Sequence, residues 1–327
     1  MILVRDIREE ITGKLTEIEE KEKVKILYAV ESGSRAWGVA SPDSDYDVRF
    51  IYVRAVKDYL SIQEKRDVIE WQLDDVLDIN GWDLKKTLVQ FHKGNATLFE
   101  WANSPVIYKT TNEWKDVYES CRQYFSEKTA LYHYYGTANS TFKQYLQNEE
   151  VKYKKYVYAL RPLLACKYIE DHHSAPPVKF DDLLRQNLPK ELSMEIEKML
   201  EIKTKSDEID LNPKMPVIQK FIEDEIVRYE QVVKDMPDDR NSDWETLDQV
   251  FLKILMRNME EICKDLGLSM TTAFTIFAKK VTREKRIPFD VSVDPFYSES
   301  NMAYLKRVVA DIESGKADLT EHELIEE

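Results

Sequence analysis

The sequence predicts an α+β fold in which an α/β first part carries a sheet and an all-α part follows it. Three observations lead there. Short apolar runs of strand character alternate with helical spacing up to about Tyr108, after which strand signals thin out and long helical patterns take over. Glycine is scarce (8) while aromatic residues are plentiful (Trp 6, Tyr 18, Phe 12), a composition of compact, helix-rich packing with few flexible linkers.

Taken in order, Ile7, Ile11, Leu15 and Ile18 recur at helical spacing, and the chain then changes to VKILYAV, Val24 to Val30, a short apolar run of the kind that forms a buried strand. Gly33 ends it. VRFIYV, Val48 to Val53, reads as a second strand, and VIEWQLDDVLDI, Val68 to Ile79, holds one or two more. From near Trp82 to Gly94 the spacing of Leu84, Leu88 and Phe91 predicts a helix. Aromatic-rich helices are expected from Trp114 to Ile169, and HHSAPPVKF reads as a loop. DDLLRQNL, ELSMEIEKMLEI and PVIQKFIEDEIVRYEQVVKDM return to helical patterning, and MPDDRNSDWETLDQ leads as a cap into another helix that begins with Leu247, Val250, Leu252 and Leu255. The end, GKADLTEHELIEE, reads as a solvated acidic tail. The expected division is residues 1–112 as one domain and 113–327 as a helical second.

The chain has 327 residues, 43% of them hydrophobic, enough for a packed core. A net charge of −14 argues against broad coating of nucleic acid, whose phosphates it repels on average. MILVRDIREE turns acidic too early for a signal peptide, and no run of about 18 apolar residues is present. Cytoplasmic residence without membrane association is therefore expected. Cys121, Cys166 and Cys263 lie far apart with no CxxC pair, which predicts buried thiols rather than a disulfide framework or a zinc site.

Chemistry concentrates in ESGSRAWGVASPDSDYDVRFIY, Glu31 to Tyr52. If Asp45 opens the strand that runs through Val48, Asp45 and Asp47 project from one face, because strand side chains alternate. Two carboxylates on one face repel each other unless a cation lies between them, and a hard, oxygen-preferring ion such as magnesium is the natural partner. A third carboxylate from a neighbouring strand would complete a two-metal site for in-line phosphoryl displacement. Gly33 lets backbone amides approach a phosphate closely, and the Ser34 hydroxyl would donate to it. Asp43 belongs to turn chemistry in Ser-Pro-Asp-Ser. Arg35 would either reach a phosphate or fix the loop by pairing with an aspartate. Trp37 reads as packing more than base stacking, and Arg49 would share the face of Asp45 and Asp47 as an ion-pair partner.

A strand, Gly-Ser, ten intervening residues, Asp-aromatic-Asp and an apolar strand together match the hG[GS]…DhDh signature of the DNA-polymerase-β-like nucleotidyltransferase superfamily. Within it, GSRAWGVASPDSDYDVRFIY resembles the predicted nucleotidyltransferases of the RNA-repair-pathway DNA-polymerase-β-like family. The resemblance continues through LDINGWDLKKTL (Leu77 to Leu88), KGNATLFEWANSPVIY (Lys93 to Tyr108) and KKYVYALRPLLACKYIE (Lys154 to Glu170). It covers the first half of the chain well and the part beyond Pro177 loosely.

The resemblance implies a mixed sheet with flanking helices in residues 1–112, with the helical domain as the other wall of a nucleotide and acceptor cleft. It implies Asp45 and Asp47 as paired metal ligands, with Gly33 and Ser34 holding the triphosphate of an NTP. For the third carboxylate Asp78, which a strand would aim at the pair, is preferred over Asp83, which is well placed to cap a helix; Asp74 and Asp75 stand in reserve. Asp45, Asp47 and Asp78 would then be both catalytic and metal-binding, with two Mg2+ ions or Mn2+ in their place. Lys154, Tyr158 and Arg161 share a helix face, with Lys155 beside them, and would grip the nucleotide alongside Arg35; the plain alternative is a solvated helix with an aromatic anchor. AKKVTREKR, Ala278 to Arg286, would contact a polynucleotide strand or simply be solvated surface, and His172 and His173 read as surface.

The implied reaction is transfer of NMP from an NTP to a hydroxyl, with pyrophosphate released. An RNA 3′ end is the acceptor that the family implies. The rivals are a protein hydroxyl, which would make the chain a protein-NMPylating enzyme, and a catalytically silent nucleotide-binding or interaction module, against which the complete carboxylate set argues. The acceptor, the base and sugar preference and the oligomeric state are not legible.

Overall fold

The computed structural model describes residues 7–41, 44–72, 76–205, 211–265 and 267–284. Its packing divides the chain into two compact units, Met1–Asn258 and Met259–Glu327.

The first unit opens with helix α1 (Ile7–Glu22) and strand β1 (Val24–Glu31), followed by a one-turn helix α2 (Gly33–Trp37), β2 (Tyr46–Arg54), the short α3 (Val56–Tyr59), β3 (Val68–Gln72) and β4 (Leu77–Asp83). Helices α4 (Leu84–His92) and α5 (Ala96–Ala102) lead into β5 (Ile107–Thr110). The five strands form one sheet in the order β3-β4-β2-β1-β5. It is mixed, as the family resemblance implies, because β2 and β4 run parallel while every other pair is antiparallel. A parallel pair needs a crossover, and the chain supplies it through α3 and the edge strand β3.

Strand alternation sends side chains of β2 to two different cores. Val48, Phe50 and Tyr52 pack with Ile79 of β4 and with Ile11, Leu15 and Ile18 of α1, the residues whose helical spacing marks that helix in the sequence. Ile51 and Val53 point the other way, into a core of Leu84, Leu88 and Phe91 from α4 and Phe99 and Trp101 from α5. Gly81 of β4 sits against the Phe50 ring, where any Cβ would collide with it.

The remainder is helical: α6 (Asn112–Cys121), a 3-10 turn, α7 (Glu127–Tyr145), α8 (Tyr153–His172), α9 (Phe180–Leu184), α10 (Lys190–Lys205), α11 (Pro216–Asp235) and α12 (Glu245–Asp265). A two-stranded ribbon of β6 (Glu150–Val151) and β7 (Asn212–Pro213) interrupts it, unforeseen because two residues leave no periodicity to read. Helix α8 is buried nearly all round and packs with α7, α10 and α11 in a third core. Helix α12 returns to the sheet side, where Leu247, Val250, Ile254 and Leu255 join the core of α4 to α6. Asp243 prepares that helix: its carboxylate accepts from the Glu245 amide and the Thr246 hydroxyl.

VIEWQLDDVLDI contributes to two strands, and β4 continues to Asp83, past the Trp82 where the sequence places a helix start. Cys121 and Cys166 are buried free thiols, as expected. In the second unit, α13 (Met270–Glu284) carries the first part of the basic run. Lys285 and Arg286, the acidic tail, Asp43, Asp74 and Asp75 lie outside the described residues. Among the described residues no helix is long and apolar enough to cross a membrane.

Candidate active site

The parallel pairing of β2 with β4 builds the site. It sets Asp47 directly opposite Asp78 in register, both on the face that leads to the α4 and α5 core. Sequence spacing offered the pair Asp45 and Asp47; the sheet adds Asp78 beside Asp47. Asp45 precedes β2 and is exposed.

Arg49, two residues along the same strand face, lies between the carboxylates. Its Nη2 donates to Asp47 Oδ1 at 3.0 Å and to Asp78 Oδ2 at 2.8 Å. Its Nη1 donates to the carbonyls of Val48 (3.1 Å) and Asp78 (3.2 Å). Two carboxylate oxygens thus gather on one cationic nitrogen, the ion-pair role that strand alternation predicts for Arg49. Among the described residues no three His, Cys, Asp or Glu side chains are gathered to hold a metal ion. The donor chemistry of Asp47 and Asp78 nevertheless fits a hard cation, since a positive group already occupies the point on which their oxygens converge.

Asp47 is held from every side. Its amide donates to Glu31 Oε1 at 2.7 Å, and its carbonyl accepts from the Ser32 amide at 2.8 Å. Gly33 has φ +61° and packs so closely on the Asp47 carboxylate that a Cβ there would overlap it. Both conditions demand glycine: left-handed backbone and absent side chain. The Gly33-Ser34 turn expected from the sequence is the start of α2, and Ser34 is buried.

Glu31 is the site residue that motif reading passed over. It is only 1% exposed, and its carboxylate accepts from the Asp47 amide and the Tyr108 hydroxyl. Burial pushes its carboxyl above the usual range, against the opposing pull of those two hydrogen bonds. The one available signal was a charged residue closing a strand that is otherwise wholly apolar from Ile26 onward.

Arg35 fixes the loop, through carbonyls rather than an aspartate side chain. Its Nε donates to the carbonyls of Ser44 (3.1 Å) and Asp45 (3.0 Å), and its guanidinium stacks 3.6 Å from the Tyr46 ring centroid. Asp83 caps α4, as its position suggests: Oδ1 accepts from the Lys85 amide and Oδ2 from the Tyr59 hydroxyl, each at 2.8 Å. Its burial raises its pKa.

Helix α8 meets the Gly-Ser element through Trp37. The Trp37 ring stands edge-on to Tyr158, 5.3 Å between centroids, and the Arg161 guanidinium lies 4.4 Å over it. Trp37 is thus a packing residue that joins α2 to α8. Lys155 lies over Tyr145 at 3.9 Å and Tyr158 at 5.4 Å, and Lys154 is half-buried. Arg161 does not face solvent: it is 2% exposed, its Nη1 pairs with Glu100 at 2.7 Å and its Nε donates to the Val178 carbonyl. Here the sequence face Lys154-Tyr158-Arg161 splits, with Tyr158 and Arg161 brought against α2 and Arg161 committed to α5.

A mixed sheet with carboxylates paired across two parallel strands, next to a glycine-led helix, is the arrangement that the nucleotidyltransferase resemblance implies. Residues 7–253 match the family model described as RNA repair pathway DNA polymerase beta family, well over half of the chain. The chain belongs to that family. It is 43% identical over 263 residues to the uncharacterized protein YcgL of Bacillus subtilis (strain 168), spanning 80% of this chain and 100% of that protein. A nucleotidyltransferase-like protein from Exiguobacterium sibiricum 255-15, known from a crystal structure, aligns over 93% of this chain and 92% of its own, at 13% identity and a TM-score of 0.25. Residues 253–318 separately match a model described as RelB antitoxin.

Proposed function

We propose that this chain transfers NMP from an NTP to a hydroxyl acceptor, with an RNA 3′ end as the acceptor, and that Asp45, Asp47 and Asp78 carry the reaction. The observation that supports it most is the register pairing of Asp47 with Asp78 around a cationic nitrogen. Magnesium held by these carboxylates would supply positive charge to the phosphate oxygens and lower the pKa of the attacking hydroxyl.

The chain's own groups do the rest. Glu31, through the Asp47 amide, and Gly33, through its missing side chain, hold the Asp47 carboxylate in one place. Main-chain amides at the start of the Gly33 to Trp37 element, with the Ser34 hydroxyl, would donate to the triphosphate. Asp78, the more exposed of the strand-paired carboxylates, is positioned to accept the proton of the attacking hydroxyl. The junction of Trp37, Tyr158 and Arg161 holds helix α8 against α2, so α8 would form the helical wall beside the catalytic residues. Lys154 and Tyr158 are the helical residues offered to the nucleotide, while Arg161 acts on it indirectly, as a positioning residue.

The family description supports RNA as the acceptor. The test is incubation with each α-labelled NTP, magnesium and a mixture of RNA and cell protein, with Asp45→Asn and Asp47→Asn as controls. Label in RNA that both variants fail to incorporate is the expected result. Label in a protein band would move the function to protein modification, and equal label with both variants would remove these aspartates from the reaction.

A further inference from the structure

The geometry points to Arg49 as a displaceable latch, which holds the Asp47-Asp78 pair when no substrate is bound and exchanges those carboxylates for the phosphates of a metal-bound triphosphate when one arrives. This rests on the reading of that pair as the metal site.

The guanidinium makes four contacts at once: two carboxylates and two main-chain carbonyls. Both carboxylates meet on the same nitrogen, Nη2, so a metal ion at that point would have to take the place of the guanidinium. One guanidinium against two carboxylates leaves a net negative charge, and the group is not deeply buried. The Arg49 side chain is 18% exposed, Asp47 33% and Asp78 55%. The carboxylates are open enough to water for a competing cation to reach them, while the four contacts of the guanidinium order them until it does.

What replaces it decides the consequence. A free divalent cation must expel a positive group into water, and the two compete. A metal bound to a triphosphate carries net negative charge, so the displaced guanidinium gains an anionic partner with the bidentate geometry it prefers. Arg49 therefore opposes the bare ion and favours the metal-nucleotide complex. A strand-borne arginine between paired carboxylates would in this way make metal binding depend on substrate, without any moving domain.

Removal of the charge should shift the two affinities in opposite directions, which a purely structural arginine would not do. The experiment measures free Mn2+ by electron paramagnetic resonance during titration of the full chain, without nucleotide, for the wild type, Arg49→Met, Arg49→Gln and Asp47→Asn. Binding of an α,β-imido triphosphate with Mn2+ is measured beside it. Both Arg49 variants are expected to bind Mn2+ roughly tenfold or more tightly, and the triphosphate roughly tenfold more weakly, the worth of one charge-assisted contact. Two variants of different polarity guard against one that fails to fold. Unchanged or weaker Mn2+ binding in a folded Arg49 variant, with binding lost in Asp47→Asn, would overturn the latch and leave the metal site standing. Mn2+ binding that Asp47→Asn does not alter would overturn the site reading and the latch with it.

Discussion

Asp47 shows how a single strand residue is fixed in place. Its amide, its carbonyl and its carboxylate each have a separate partner in Glu31, Ser32 and Arg49, and Gly33 closes the fourth side. Gly33→Ala would impose a side chain on left-handed backbone, at about 1–2 kcal/mol, and push the carboxylate aside. The expected outcome is a fall in single-turnover NMP transfer of roughly a hundredfold, in line with displacement of a reacting group by about 1 Å, with far-ultraviolet circular dichroism unchanged. Glu31 makes a prediction about pH. Its folded pKa lies above the unfolded value, so its contribution to stability is fully present below the ordinary carboxylate range and is lost as pH rises through the raised folded value. Melting temperatures of the wild type and Glu31→Gln, measured from pH 4 upward, should therefore shift in favour of the variant as pH rises through that window; a gap that stays constant would contradict the raised value. Asp47 on its strand and the Asp83 cap were legible because motif spacing and helix-start chemistry are local, whereas Asp45, read as opening the strand, precedes it. Glu31 was not, because its role depends on a strand partner and on Tyr108, seventy-seven positions away.

At the scale of elements, the decisive contacts are the β2-β4 register and the joint between α2, α5 and α8. The sequence showed apolar strands at both places but could not show that β2 and β4 run parallel, which is what sets Asp78 beside Asp47 rather than at a distance. It likewise placed Arg161 on a helix face with Lys154 and Tyr158, and helical spacing cannot tell which part of a face becomes buried. Glu100, on α5, decides that by pairing with Arg161 at 2.7 Å inside the protein. At this joint Arg161 Nη2 and Trp37 Nε1 are buried donors without an acceptor among the described residues, so the arrangement carries a desolvation cost beside its ion pair. Arg161→Met should destabilise the chain by about 3–5 kcal/mol, because it strands the Glu100 charge. Arg161→Met with Glu100→Gln should recover a large part of that loss in urea unfolding, since both charges leave together. A double variant as unstable as the sum of the single ones would show that packing, not charge, dominates there.

Across the whole molecule, the α+β division was legible because strand runs and helical periods occupy different parts of the chain, while the return of α12 to the sheet core was not. That return rests on Leu247, Val250 and Ile254, which look in sequence like any amphipathic helix. A chain ending at Asp265 keeps these residues and should retain its fold and its transfer activity; one ending at Arg240 loses them and should melt at markedly lower temperature. The match to a model described as RelB antitoxin begins at residue 253, where the match to the nucleotidyltransferase family model ends. The net charge of −14 bears on the RNA acceptor proposed above, since such a strand would reach the site against average repulsion. Transfer to RNA should therefore accelerate with moderate added salt at constant magnesium before high salt suppresses it. In the proposed reaction the chain moves the α-phosphoryl with its nucleoside and releases the other two phosphates as pyrophosphate, through the carboxylates paired at Asp47 and Asp78. Parallel reactions with α-labelled and γ-labelled NTP, on the wild type and Asp47→Asn, test it most directly. The expected result is α-label on the acceptor and γ-label in pyrophosphate for the wild type, and neither for the variant; γ-label on the acceptor, or full activity in Asp47→Asn, would rule the mechanism out.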